Sequence, residues 1–542
     1  MGYRSLKGFE WKLAPFAKIK PLPIVEKILF NRGFKTLPRR DEGVLSLASR
    51  LPNWERAARL VAEAVRRGRP ILLFGDYDVD GITSTTFMFQ LLKGWGAKAV
   101  KVRVPERETG YGFSPAVAAN IADRYPGALF IALDNGTKEV EAVKVLKQKG
   151  FDVVILDHHE PENTLPDAEV VNPKITPESG ALRDLSTVGV VYLFAKLFEE
   201  FFGKTADPDR FLDLVALGTL ADVSPLSEVN AFLVKRGLEL INNGKFSRPA
   251  LEKIFGILRT DRVSVKDLTF RVAPRLNAFG RMGFAKDGLK LLLTDSDGIA
   301  ALLVAKMEEL NRERKSLTER LLEEIEESGL LEPREKGFIY TVKPNGKRSI
   351  EGILGIVAGR LSSEYGLTTV ILAESGNYLK GSARSPEGVN VIELLRRGER
   401  FLSRWGGHKN AAGLTLERRH FESFSRTFLE SLEGTEKKTP RLFIDAVAPP
   451  SEVKGAMGEI EKIGPFGPGN PEPVFVFRDR IVALRETRYS VKLRLKSGVE
   501  LTFWEKKLAS DLKRYKNIDV LIAFRYIGGS DPFEVADVAV PA

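Results

Sequence analysis

Three carboxylates, Asp76, Asp78 and Asp80, stand at alternate positions directly behind the apolar run 71–74. A second group, Asp157, His158 and His159, follows the apolar run 153–156. Acids gathered at the exits of buried strands repel one another and are costly to desolvate unless positive charge sits among them. A pair of divalent cations meets that need, and two cations about 3.5–4 Å apart are a recurrent apparatus for hydrolysing phosphate esters. The chain has no cysteine, which excludes disulfides and thiolate-bound zinc and leaves oxygen and imidazole as ligands. Oxygen ligands suit magnesium and manganese, and an imidazole in the set shifts preference towards manganese. These residues predict a metal-dependent phosphoryl-transfer enzyme.

The elements needed to position them are visible in the hydrophobic pattern. Short apolar runs at 71–74, 99–104, 128–133 and 153–156 read as strands, with helical spacing at 83–93 and 138–149 between them. Strands alternating with helices predict an α/β domain with a doubly wound parallel sheet. Ligands gather at the carboxyl ends of such strands, where Asp76 to Asp80, Asp134, and Asp157 to His159 all fall. A single Asp after a strand is more often a helix N-cap than a ligand, so the convergence of several carries the expectation. No Gly or Pro interrupts the chain between Gly298 and Gly329, which predicts a long helix joining two lobes. The expected organisation is an N-terminal segment 1–45, a catalytic domain 46–295, a connecting helix 296–336, a second α/β domain 337–434, and a C-terminal β-barrel 435–542.

At 542 residues, with 43% hydrophobic and 29% charged residues, the chain is long enough for several ordinary globular units. No apolar run approaches the roughly 18 residues that span a bilayer, so no membrane partner is expected. Glu10, Lys12, Lys18 and Lys20 interrupt the first twenty residues, which lack a signal-peptide pattern and point to the cytoplasm. A net charge of +11 favours a polyanionic partner. The charge is uneven: residues 478–516 hold twelve Lys or Arg against five acids, interleaved with Tyr489, Phe503, Trp504 and Tyr515. Basic grooves with aromatic platforms hold single strands in OB folds, which makes Trp504, Arg488, Lys492 and Arg494 candidate strand contacts. Trp504 follows Phe503 in an alternating run, so the two face opposite sides. In GSARS, Ser382 and Arg384 are expected on one side of a glycine turn, able to hold phosphate oxygens by hydroxyl and forked guanidinium.

The segments GDYDVDGITST (75–85), LDNG (133–136), DHH (157–159) and LGTLADVSPL (217–226) resemble, in order, the four motifs of the DHH phosphoesterase superfamily. PRLNAFGR (274–281), GSARS (381–385), GGHKNAAGL (406–414) and PFGPGNPEPVF (465–475) narrow the resemblance to the RecJ family, over nearly the whole chain. It implies a DHH domain, a DHH-associated domain and an OB fold, with two Mn2+ or Mg2+ ions. The implied ligands are Asp78, Asp80, Asp134, His158 and Asp222, with Asp134 bridging and Asp76 in support. His159 would stand beside the scissile phosphate or complete the set of metal ligands, and Asp157 would orient its neighbours. The second lobe would receive a terminal 5′-phosphate through Ser382 and Arg384, with Arg107, Arg281 and His408 as further contacts. The implied activity is that of a single-stranded-DNA-specific 5′→3′ exonuclease in DNA repair and recombination, releasing 5′-mononucleotides by two-metal-ion hydrolysis. Single-stranded DNA is the implied partner, with RNA, single-strand-binding protein and replication or repair proteins beside it. An oligoribonuclease or cyclic-dinucleotide phosphodiesterase shares such a metal core but generally lacks the barrel. An inactive replication-fork scaffold is the alternative outside the enzymes, and the intact acidic set argues against it. One element departs from the family: a Trp-His-x-Gly sequence is usual where Ser349-Ile350-Glu351-Gly352 stands.

Overall fold

The computed structural model describes residues 3–19, 21–34, 42–105, 112–328, 337–343, 350–433, 441–487, 490–528 and 532–541. In the first lobe five parallel strands lie in the order Val100–Arg103, Ile71–Gly75, Leu129–Leu133, Asp152–Leu156, Glu169–Val171. The two strands that carry most of the acids, Ile71–Gly75 and Leu129–Leu133, are buried at every position, as befits a sheet with helices on both faces. Gly75 is level with Leu133, and Leu133 with Leu156. The next residue on each strand is Asp76, Asp134 and Asp157, so register alone brings three acids out side by side.

A 31-residue helix, Asp297–Glu327, leaves this lobe with Ser296 as its N-cap. It is about 46 Å long at 1.5 Å per residue. Its first half buries Leu303 and Leu310 in the catalytic core, and its last turns bury Leu321, Leu322 and Ile325 in the second lobe. The second lobe is a five-stranded sheet ordered Leu402–His408, Ala411–Glu417, Tyr378–Arg384, Thr368–Ser375, Gly337–Val342. Ser382 and Arg384 lie inside the strand Tyr378–Arg384 rather than on the glycine turn expected from sequence. Gly381 serves close packing there: a Cβ would stand 2.2 Å from the Ile371 carbonyl of the neighbouring strand.

The last unit closes into a ring. Val474–Glu486, Val491–Leu495, Glu500–Phe503, Phe533–Pro541 and Asp519–Tyr526 pair in succession, and the last returns to the first. The strand Phe533–Pro541 was absent from the sequence expectation. The N-terminal stretch also belongs to this unit: Tyr3–Ser5 pairs with Phe533–Pro541, and Glu10–Leu13 runs parallel to Arg441–Ile444. Ile24, Ile28 and Leu29 of the helix Ile24–Asn31 lie in the barrel core. Strands of three and four residues carry too little alternation to be recognised before their partners are known. Among the described residues no helix is long and apolar enough to cross a membrane.

Candidate active site

Asp78 caps the helix Val79–Gly94, its Oδ1 accepting from the Gly81 amide at 3.0 Å. Asp80, in the first turn, is buried and accepts from the amides of Thr187 (2.7 Å) and Val188 (3.0 Å), at the start of the helix Thr187–Phe202. Asp134 holds a left-handed φ of +64°, and its Oδ1 accepts from the Thr187 hydroxyl at 2.9 Å. Asp tolerates that conformation better than most side chains, and strain of this kind gathers at functional sites. Asp222 ends the helix Leu212–Ala221 and accepts from Ser224 Oγ at 2.5 Å.

His158 stands among these acids. Its Nε2 is 3.5 Å from Asp134 Oδ1 and 4.0 Å from Asp80 Oδ2, and its Nδ1 is 3.8 Å from Asp222 Oδ2. Three overlapping sets have donor atoms within 4.8 Å of one another: Asp134–His158–His159, Asp80–His158–Asp222 and Asp76–Asp78–Asp134. Asp134 is shared by two of these sets, as a bridging carboxylate would be. Asp157 is turned away from this role. Its Oδ1 accepts from both histidine amides and pairs with His159 Nδ1 at 2.8 Å, while Oδ2 accepts from the Thr137 amide.

The electrostatics of the protein alone are those of a site with missing positive charge. Burial, and then neighbouring acids, push the Asp76, Asp80 and Asp134 carboxyls well above the usual range. Burial raises Asp222 as well. Asp76 Oδ1 is buried with no hydrogen-bond partner among the described residues. Burial also opposes the charge on His159, but Asp157 and their hydrogen bond outweigh it and lift the imidazole to about 9. His158 is lowered to about 3 by burial and by the charge of His159, which leaves it neutral and able to ligate. Buried acids in mutual repulsion, an orphaned carboxylate oxygen and a neutral imidazole fit manganese or magnesium.

A cleft of about 800 Å³ opens beside the cluster, and Tyr77, Asp157, His159 and Arg281 line its catalytic-lobe wall. Ser382, Arg384, Arg404 and His408 line the opposite wall. Arg384 Nη1 donates to Ser382 Oγ at 2.7 Å and to the Ala383 carbonyl at 2.8 Å. The helix Glu351–Tyr365 passes directly over this pair because of Gly355, where a Cβ would meet Arg384 Nη2 at 2.9 Å and Ser382 Oγ at 3.1 Å. Arg281 Nη1 donates to the Gly352 carbonyl at 3.1 Å, a tie between lobes. In the departing element, Gly352 abuts Arg281, whose carbonyl would lie 2.0 Å from an added Cβ, and Glu351 reaches Lys380 at 3.6 Å. Arg107 and Arg488 lie outside the described residues. On the barrel, Trp504 is 52% exposed while Phe503 is buried, as alternation requires. Lys492 donates to Thr502 Oγ1 and Arg494 is exposed, and neither they nor Trp504 line this cleft. Sequence reasoning missed Thr187, Val188, Thr137 and Ser224. Ser186-Thr187 before an apolar run signals a helix start, but not which carboxylates that start would meet.

Residues 70–219 match the DHH family N-terminal domain, 335–434 the DHHA1 domain and 444–526 the RecJ OB domain. The chain is 32% identical to the single-stranded-DNA-specific exonuclease RecJ of Salmonella typhimurium, over 85% of this chain and 84% of that one. It is 31% identical to the Escherichia coli protein of the same name, over 87% and 86%. The chain belongs to the RecJ family. The fold agrees: Thermus thermophilus RecJ in complex with Mn2+ superposes with a TM-score of 0.83 at 26% identity, over 98% of this chain and 80% of that one. The Mg2+ complex of the same protein gives 0.75 at 26% identity, over 98% and 79%.

Proposed function

We propose that this RecJ-family chain is a metal-dependent exonuclease of DNA repair and recombination. It digests single-stranded DNA from the 5′ end and releases 5′-mononucleotides. One observation carries this: His159, at the edge of a cluster of acids and imidazoles, shares a single cleft with a paired serine and arginine. Asp78, Asp80, Asp134, His158 and Asp222, with Asp76 in support, would hold two Mn2+ or Mg2+ ions. When bound, the ions stabilise charge on the phosphate and lower the pKa of the attacking water.

The protein's own groups do the rest. Thr187 and the amides at the start of its helix fix the carboxylates of Asp134 and Asp80 in orientation. His159, kept cationic by Asp157, offers a hydrogen bond to an oxygen of the scissile phosphate. Ser382 and Arg384, with Arg281, receive the terminal phosphate, and His408 lies further along the same wall. Because that pocket accepts an end group, polarity follows from geometry rather than from base contacts. Trp504, Lys492 and Arg494, with Arg488, hold the remaining strand on the barrel without reading sequence.

The test is digestion of single-stranded DNA labelled at either end, with manganese. Labelled mononucleotide is expected at once from the 5′ label and only late from the 3′ label, with Asp134→Ala and Asp222→Ala inactive but folded. Early release from the 3′ label would overturn the polarity, and faster turnover of a ribodinucleotide than of a long strand would favour an oligoribonuclease.

A further inference from the structure

The motif PFGPGNPEPVF contributes nothing to the cleft, yet its glycines are under steric constraint. Gly469 holds a left-handed φ of +72°, and a Cβ there would stand 2.9 Å from Pro225 Cβ and 3.4 Å from the Leu226 amide nitrogen. At Gly467 a Cβ would meet Leu226 Cδ1 at 2.9 Å. Between them, the Pro468 carbonyl accepts from the Leu226 amide at 2.6 Å. This loop of the barrel domain is therefore pressed against the turn that follows Asp222 in the catalytic domain.

That turn is strained and needs support. Val223 adopts φ +61°, a genuine outlier for a β-branched residue, and is 58% exposed, so its own side chain contributes little packing. Ser224, one residue on, donates to Asp222 Oδ2 at 2.5 Å. From the catalytic side Asn230 Nδ2 holds the Pro225 carbonyl at 2.8 Å. From the other side the barrel loop supports it, and that loop is itself braced. Asn470 Nδ2 donates to the carbonyls of Pro465 (2.8 Å) and Ile463 (3.1 Å), and Arg32 donates to Asn470 Oδ1 and to the Pro471 carbonyl.

We propose that the barrel loop 467–470 is a positioning element for Asp222, so that the barrel domain sets the geometry of the metal site as well as holding DNA. The inference rests on Asp222 being a metal ligand. It explains why position 469 is glycine: with φ +72° and Pro225 Cβ 2.9 Å from a Cβ position, a side chain there pushes the 223–226 turn, and the Ser224–Asp222 hydrogen bond moves with it.

The experiment is Mn2+ binding to the full-length chain without DNA, by calorimetry, beside binding of a labelled 30-nucleotide single strand without metal. Asp222→Ala should weaken Mn2+, and if it does not, the ligand assignment itself is wrong. Gly469→Ala should weaken Mn2+ about tenfold and lower kcat, while affinity for the strand stays unchanged. Val223→Gly in the Gly469→Ala background should recover most of that loss, because glycine adopts the turn without support. Should Gly469→Ala fail to fold, Arg32→Gln loosens the same loop from its far side and decides the matter in the same terms. Parent-like Mn2+ binding in a folded loop variant, with Asp222→Ala impaired, would overturn the inference.

Discussion

Asp157 shows how much a single side chain can organise. It accepts from two backbone amides, from Thr137 and from the His159 ring, and so fixes both imidazoles against the carboxylates. Removing such an orienting partner typically costs 10–100-fold in metal affinity or activity. Asp157→Asn should therefore weaken Mn2+ binding by about that factor, measured by calorimetry, with the fold retained by circular dichroism. A second acid, Asp213, is buried outside the site and accepts from Ser247 Oγ and its amide. Burial raises its carboxyl to about 6. A raised acid favours its protonated form in the folded state, so the native chain binds more protons than the unfolded one between about pH 4 and pH 6. Stability should fall as pH rises through that window, then level off, by about 3 kcal/mol at 1.36 kcal/mol per unit. Asp213→Asn should flatten that part of the curve in denaturant titrations at stepped pH; a parent-like slope would exclude Asp213 as its source. The clustered acids were legible as a group in sequence because they sit in short motifs after apolar runs. Asp213 and Thr187 were not, since nothing local marks an acid as deeply buried or a threonine as facing a distant carboxylate.

The same asymmetry holds for elements. Long periodic segments declared themselves: the strands Ile71–Gly75, Leu129–Leu133 and Asp152–Leu156 and the helix Asp297–Glu327 fall where their patterns predict. What the pattern could not give was how closely elements approach. Gly218, in the helix Leu212–Ala221, faces the Asp80 helix so tightly that a Cβ would lie 2.4 Å from Thr83 Oγ1, 2.7 Å from Val188 Cγ1 and 3.1 Å from Asp80 Oδ1. Gly218→Ala raises helix propensity, by up to about 1 kcal/mol. Overpacking a tight contact costs about 1–3 kcal/mol, which is the larger effect. The variant should lose stability in urea and, because the displaced atoms include Asp80, lose Mn2+ affinity as well. An exposed helical glycine such as Gly458, with open space around its Cβ position, supplies the contrast: alanine there should stabilise or be neutral.

Across the whole molecule the chain is stitched end to end, and no sequence pattern announced it. The barrel's basic surplus is smaller in effect than its count, since Arg480 and Arg478 share Asp519, Arg485 approaches Glu500 and Lys513 pairs with Glu486. Arg494 has no such partner among the described residues, so Arg494→Ala should reduce the salt slope of strand binding by about one phosphate's worth if it contacts the backbone. The stitching itself centres on Asp537, fully buried in the strand Phe533–Pro541. Its carboxylate accepts from Ser5 Oγ, from the Lys7 amide at 3.1 Å and from Trp11 Nε1 at 2.8 Å, all more than 500 residues away in sequence. The N-terminal strand thus completes the barrel domain from the opposite end of the sequence. Trp11→Phe removes one donor to a buried charge while keeping most of the ring, and hydrogen bonds to charged groups are worth about 1.5–3 kcal/mol. Denaturation followed separately in the two halves should show the barrel destabilised by that amount and the catalytic lobe unchanged. Deleting residues 1–13 should do more, because Asp537 then loses three donors at once and the edge of Phe533–Pro541 is laid bare. If the barrel of the deleted chain melts like the parent's, the N-terminal strand is an ornament of the fold; an early separate transition would show that it is a structural member.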